Sequence, residues 1–344
     1  MQQVNTERTR IGIVGAGDIA RKVNLPHLRA IPGVQLVAVC NARPESARQV
    51  AGEFGIPHVV DHWTSMVDRD DVDAIWIGTP PVMHAPIAIA ALQQGKHVFC
   101  QARMAMDLAE ARSMLAAARQ HPELVTMLSA PPMGMKAGKL MRQLLNDGYV
   151  GEPYHFRLVA DSDMFADPDA PAHWRQRREL VGMNVLTVGI YGEILQRWFG
   201  SPVRLHARSK VYVPDRDGYA VQVPDVVQVT GEWGDGVLGV LEWSGVSLFA
   251  PDSTLTLYGR DGTLEYNFTR DQVRGARRGD DEFRTFELPA DLETPWTVEH
   301  DFVTAVRAGG RPEPSFETGV AYMEFTEAVH RSALTGIEIL LPLP

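Results

Sequence analysis

Residues 10–20, RIGIVGAGDIA, constrain the fold more than any other stretch of this 344-residue chain. Ile11, Ile13 and Val14 make a short apolar run of strand type, and Gly15, Gly17 and Ala20 follow at the spacing G-x-G-x-x-A before a helical segment. That order is strand, tight turn, helix start. Gly15 permits the turn, Gly17 lets a pyrophosphate approach the backbone, and the small Ala20 lets helix and strand pack closely. Phosphate charge then meets unpaired N–H groups at the helix N-terminus, with Asp18 and Ile19 in the same turn. A glycine turn alone has many uses, but one that follows a strand and opens a βαβ pattern predicts a dinucleotide site.

The chain keeps to that pattern as far as residue 128. Strands are expected at 34–40 (VQLVAVC), 59–60, 74–78 (AIWIG), the end of 79–100, and 125–128. Helices are expected at 24–30, 45–54 (ended by Gly55), 65–67, 86–94 and 108–119. Apolar strands alternating with helices imply an α/β, doubly wound parallel sheet of Rossmann type. Ligands of such sheets lie beyond the carboxyl ends of the strands, which singles out Thr79, Pro80, Pro81 and His84 after the fourth strand; Gln101 is a further candidate cofactor contact. The end of the second strand bears on which dinucleotide binds. An acidic residue there suits the ribose hydroxyls of NAD, whereas a neutral residue with a nearby arginine accommodates the extra phosphate of NADP. The chain has Asn41, Ala42 and Arg43, so NADP is expected, with NAD as the alternative.

Beyond residue 128 the pattern changes. After punctuation at 130–138 and a helix at 139–146, segments 154–160, 203–213, 226–233, 236–243, 254–258 and 263–267 alternate apolar with polar residues between glycine-rich turns. This predicts a C-terminal α+β domain with a large open antiparallel sheet, one face exposed or covered by a partner and the other covered by helices at 185–199, 298–308 and 318–334. The expected domains are 1–128, for the dinucleotide, and 129–344, for substrate binding and oligomerisation. A net charge of -10 argues against nucleic acid or an anionic membrane as partner. No stretch has the length of a membrane span and the first ten residues are polar, so the cytoplasm is expected. The two cysteines, Cys40 and Cys100, close apolar runs and read as buried thiols; no metal-ligand spacing is present.

The glycine fingerprint, TPPVMH at residues 79–84, ALQQGKHVFC at 91–100, the open-faced C-terminal sheet and the closing stretch 315–340 together resemble the family of glucose-fructose oxidoreductase, inositol dehydrogenase and the rhizopine catabolism protein (Gfo/Idh/MocA). The resemblance covers nearly the whole chain. It implies NAD(P)-dependent oxidation or reduction at a ring hydroxyl or carbonyl of a sugar, cyclitol or cyclic diol, and a homodimer or homotetramer formed through the C-terminal sheet. Such chemistry needs a group to take or return the hydroxyl proton. In the family this is a lysine in Glu-Lys-Pro, helped by Asp and His in a D-x-G-x-H segment. Here those positions are Gln101, Ala102 and Arg103, with Thr187 at the aspartate and Tyr191 at the histidine. An arginine common in the family finds no match in residues 129–133.

The resemblance therefore implies a non-standard acid/base, with Tyr191 as the candidate and Arg103 as the cation that tunes it. The family's Trp-Arg pair maps to Trp174 and Arg175, beside His173, a second candidate proton donor because its reference pKa lies near neutrality. Asn184 joins them on the substrate side. The alternatives are a lyase or hydrolase that oxidises its substrate only transiently, and a relative that binds dinucleotide or ligand without turnover.

Overall fold

The computed structural model describes residues 8–129 and 135–344 and groups the chain into two compact units, Met1–Ala130 with Thr297–Met323, and Pro131–Trp296 with Glu324–Pro344. Residues 130–134 of the predicted punctuation, and most of the 129–133 segment without the family arginine, lie outside the described residues.

In the first unit, strands β1 (Thr9–Val14), β2 (Val34–Cys40), β3 (His58–Val59), β4 (Ala74–Ile77), β5 (His97–Gln101) and β6 (Thr126–Ser129) form one sheet in the order β3-β2-β1-β4-β5-β6. Every pairing is parallel. Strand β4 is buried along its whole length, as a central parallel strand covered on both faces requires. The first helix opens earlier than expected, as a wide π-turn over Ala20–Asn24 that runs on into Leu25–Ala30. The helix Pro44–Phe54 ends where Gly55 takes a left-handed conformation, as its sequence predicts.

Trp76 stacks on Phe99 with ring centroids 3.5 Å apart, and Phe302 meets both rings edge-on. This corrects one expectation. The sequence pattern places the helix Val298–Ala308 over the C-terminal sheet, but its Phe302, Val303 and Ala305 join the core of the parallel sheet with Ile11, Trp76 and Phe99. An amphipathic pattern specifies that a helix buries one face and leaves open which sheet receives it.

The second unit carries β7 (Pro153–Asp161), β8 (Arg204–Lys210), a small ribbon of β9 (Asp215–Arg216) and β10 (Tyr219–Ala220), β11 (Val226–Glu232), β12 (Leu238–Ser244), β13 (Thr254–Gly259), β14 (Gly262–Asn267), β15 (Gln272–Arg277), β16 (Arg284–Thr285) and β17 (Ile339–Leu340). Nine of these form a sheet in the order β16-β15-β14-β13-β7-β12-β11-β8-β17. It is antiparallel except at its centre, where β7 and β12 run parallel with Leu238 opposite His155 and Glu242 opposite Val159. The sequence predicted antiparallel pairing throughout; alternation of side chains fixes the buried face of a strand but is blind to its direction. Phe156, Leu158, Val229, Leu241, Trp243, Leu255 and Leu257 point inward, while Arg157, Thr230 and Val240 are exposed on the other face. The helix Val188–Phe199 covers the inner side, with Phe199 stacked on Phe156. So does the later part of the helix Phe316–Thr335, where Ser332 Oγ accepts from the Ala207 amide and Phe325 packs on Gly192.

Candidate functional site

The first unit builds a tight glycine turn after β1. Gly15 has φ +88°, and a Cβ there would stand 2.5 Å from the Thr79 amide nitrogen, so two loops cross at a point only glycine allows. A Cβ on Gly17, by contrast, would meet nothing within 4 Å, which leaves open backbone at the second fingerprint position. Gly15 N–H donates to Cys40 O at 2.8 Å, and Ala16 N–H donates to the Asn41 side-chain oxygen at 2.7 Å. Asn41 in turn donates to Ser46 Oγ at 2.9 Å. Asn41, the residue after β2, thus holds the glycine turn in shape. Asp18 and Ile19 are exposed and Ala20 is buried; Asp18 pairs with Lys22 at 3.4 Å. Arg43 is exposed and forms no ion pair among the described residues.

At the end of β4, Thr79 Oγ1 is buried and has no hydrogen-bond partner among the described residues. Pro80, which follows, leads into the short turn of Pro81–Met83. His84 is 1% exposed: its Nε2 lies 2.7 Å from Thr79 O, and its Nδ1 lies 2.9 Å from Arg103 O and 3.3 Å from Met104 O. Burial drives its pKa down from 6.5, against the three carbonyls that favour the charged ring. The ring ties the loop after β4 to the loop after β5.

Arg103, in that second loop, is 6% exposed, and the next amide, Met104 N–H, donates to the Tyr322 hydroxyl. Gln101, at the end of β5, donates to Asn24 Oδ1 at 2.7 Å, and Asn24 donates to Glu299 Oε1 at 2.6 Å. Glu299 Oε2 meets His27 Nδ1 at 3.3 Å. This polar chain, with Asn24 and Glu299 buried, fastens the π-turn to the end of β5. Sequence reasoning missed it, although a carboxylate three residues before Phe302 on the buried face of a helix was a legible signal.

In the second unit, Tyr191 sits one turn into the helix Val188–Phe199, with its ring edge-on to Phe268 at 5.0 Å. Burial raises its pKa above 10, opposed by a hydrogen bond with the Ser253 side chain. Thr187 is the residue before that helix and makes no side-chain cap. His173 opens the turn Trp174–Gln176: its Nδ1 accepts from Arg175 N–H at 3.2 Å, and the Gln176 side chain accepts from His173 N–H at 3.1 Å. Burial lowers the His173 pKa, and the charge of Arg175 lowers it further. The Arg175 guanidinium lies over the Trp174 ring at 4.4 Å, and its burial lowers its pKa too. Asn184 is 1% exposed and donates to Val181 O at 2.7 Å.

The structure thus brings Gly15, Gly17, Asn41 and Thr79 together in the first unit, with His84 bracing the Thr79 loop against Arg103. In the second it joins His173, Trp174 and Arg175. Among the described residues, no three His, Cys, Asp or Glu side chains form a metal-binding group.

Residues 9–129 match the oxidoreductase family with an NAD-binding Rossmann fold, and residues 139–265 match the GFO/IDH/MocA C-terminal domain. The chain is 30% identical to dTDP-3,4-didehydro-2,6-dideoxy-alpha-D-glucose 3-reductase of Streptomyces antibioticus over 94% of its own length and 96% of the relative's. It is 26% identical to levoglucosan dehydrogenase of Pseudarthrobacter phenanthrenivorans, covering 97% of each. Among solved structures, an oxidoreductase domain protein of Kribbella flavida superposes with a TM-score of 0.86 at 26% identity, over 98% of this chain and 100% of that one.

Proposed function

Because the chain belongs to the Gfo/Idh/MocA family and is an NAD(P)-dependent oxidoreductase, we propose that it reduces or oxidises a ring carbon of a sugar or related cyclic polyol, with Tyr191 as the proton carrier. The placement of Tyr191 one turn into the helix Val188–Phe199, its ring edge-on to Phe268, is the observation that carries this reading. A phenol kept neutral at physiological pH serves reduction directly: its O–H donates to the substrate carbonyl oxygen as that oxygen becomes a hydroxyl. The phenolate then regains a proton from solvent, and oxidation runs the same transfer backwards. Arg103 is given its tuning role on its place in the family motif alone. His173 fits the proton role less well. Its Nδ1 is spent on the turn it caps and its pKa is lowered, so at neutral pH it holds only the poorly acidic Nε2 proton. Arg175, stacked on Trp174, offers a preformed face for a sugar ring or an anionic group attached to it.

The turn fits a dinucleotide: the Gly15 crossing clears the backbone, Gly17 is open, and Thr79 Oγ1 offers an unused polar atom. Gly15, Gly17, Asp18, Ile19 and Ala20 would hold the pyrophosphate. Thr79, Pro80 and Gln101 would border the nicotinamide, which supplies or receives the hydride when bound. Arg43 is the one cation at the end of β2 without an ion pair among the described residues, and with Asn41 and Ser46 it favours the 2′-phosphate of NADP over the bare hydroxyl of NAD. His84 acts as the brace of the Thr79 loop. Levoglucosan, the named substrate of one relative, heads the panel of cyclic polyols with which to test turnover, with NADP and NAD compared at each. Turnover of none of them, with dinucleotide bound, would refute the reading.

The open face of the nine-stranded sheet, where Leu238 and Val240 stand 57% and 51% exposed, is assigned to contact with a second copy in a homodimer or homotetramer.

A further inference from the structure

The ribbon β9–β10 lies outside every motif read from the sequence. Its turn, Asp217-Gly218, has positive φ at both residues, which matches the two-residue hairpin that such a dipeptide favours. Arg216, on β9, is 2% exposed. It forms no ion pair among the described residues. Its guanidinium donates instead to three backbone carbonyls: Nη1 to Asp167 O at 2.7 Å and to Ala170 O at 3.3 Å, and Nη2 to Phe165 O. A buried cation with only carbonyl partners is costly, and here both terminal nitrogens of the guanidinium are applied to one loop, while Nε has no hydrogen-bond partner among the described residues. That loop leads within three residues to His173, and the Phe165 ring packs against the His173 ring with centroids 5.8 Å apart.

The far flank is gripped from the same ribbon. Tyr219, opposite Arg216, donates from its hydroxyl to Glu179 Oε2 at 2.7 Å, and Arg177 lies over its ring at 4.4 Å. Arg178 donates to Gly182 O at 2.9 Å and to Gln222 O, two residues past β10, at 3.3 Å. Both sides of the turn Trp174–Gln176 are therefore tied to one small ribbon.

We infer that the β9–β10 ribbon is a clamp that sets the position of Trp174 and Arg175, and that Arg216 is its anchor, a positioning residue for the substrate. The inference rests on the reading of Trp174 and Arg175 as the substrate side. Lysine cannot replace the anchor: a single ammonium cannot reach three carbonyls spread over six residues in the fixed geometry of a guanidinium fork.

The test compares wild type with R216K, R216A and R175Q. Hydrogen exchange over residues 165–182 reads the clamp without any substrate; it is expected to speed up in R216K and R216A, with NADPH affinity unchanged. Guanidinium chloride at low millimolar concentration should restore protection in R216A and leave R216K unaltered. With levoglucosan, or the best substrate of the panel, KM should rise roughly tenfold to a hundredfold in R216K, with a smaller change in kcat. Unchanged exchange in both variants would overturn the inference, as would faster exchange with an unaltered KM. If R216A does not fold, R216K decides alone by exchange and KM. R175Q separates the two claims. An unaltered KM in R175Q refutes the substrate-side reading, while the exchange result still reports whether the clamp exists.

Discussion

Burial shifts Tyr191 upward and His173 downward, and in both cases it favours the neutral form. For Tyr191 the consequence is directional. Reduction should hold its rate as pH rises through neutrality and fail only above 10, the ordinary phenol value, because the folded pKa lies higher still. A rate profile that declines near neutral pH would assign the proton to another group. Tyr191→Phe should lower turnover by about 10²–10⁴ while NADPH titration is unaffected. At Arg43 the expectation concerns selectivity: Arg43→Ala should weaken NADPH binding roughly tenfold or more and leave NADH alone, since one charge-assisted contact is worth about 1.5–3 kcal/mol. Equal loss of both would place Arg43 elsewhere. Arg43 is singled out by its place after the second strand, whereas Tyr191 is singled out only by the resemblance to the family. What Asn41 does is not legible in the sequence, since its bond to the Ala16 amide depends on two loops meeting.

Elements show where that legibility stops. The parallel sheet could be read strand by strand because each strand is a short apolar run and each crossover a helix with its own end signals. Glu299 and Phe302 sit on one helix, and the sequence told only that the helix has a buried face. That the face belongs to the first sheet follows from Phe302 meeting Trp76 and from Glu299 reaching Asn24, partners far away in sequence. The parallel pairing of β7 with β12 was hidden for a similar reason. Arg216 gave no signal, since a lone arginine beside Asp-Gly reads as a solvated hairpin. At the crossing of the two loops, Gly15→Ala should cost at least roughly 1–3 kcal/mol through strained backbone and the contact with Thr79. Thermal denaturation together with dinucleotide titration measures it; a stable variant of normal affinity would refute the crossing.

Over the whole molecule, His84, His97, His173 and His330 all have pKa values lowered by burial. The unfolded chain binds protons at these sites near 6.5, before the folded chain does, so stability is fully present above that pH and is lost as pH falls below it. Chemical denaturation at pH 7.5 and pH 5.5 should give a clearly lower stability at the acid value. The exposed Leu238 and Val240 make a second expectation at this scale: charged substitutions at both should reduce the molar mass measured by light scattering without impairing folding, and an unaltered mass would remove that face from the assembly. The most direct test of the proposed chemistry is the absorbance of reduced nicotinamide during incubation of NADP with levoglucosan and the polyol panel, for wild type beside Tyr191→Phe. The account predicts steady accumulation with wild type and almost none with the variant, both proteins binding NADP equally. Equal accumulation with the two proteins would contradict it.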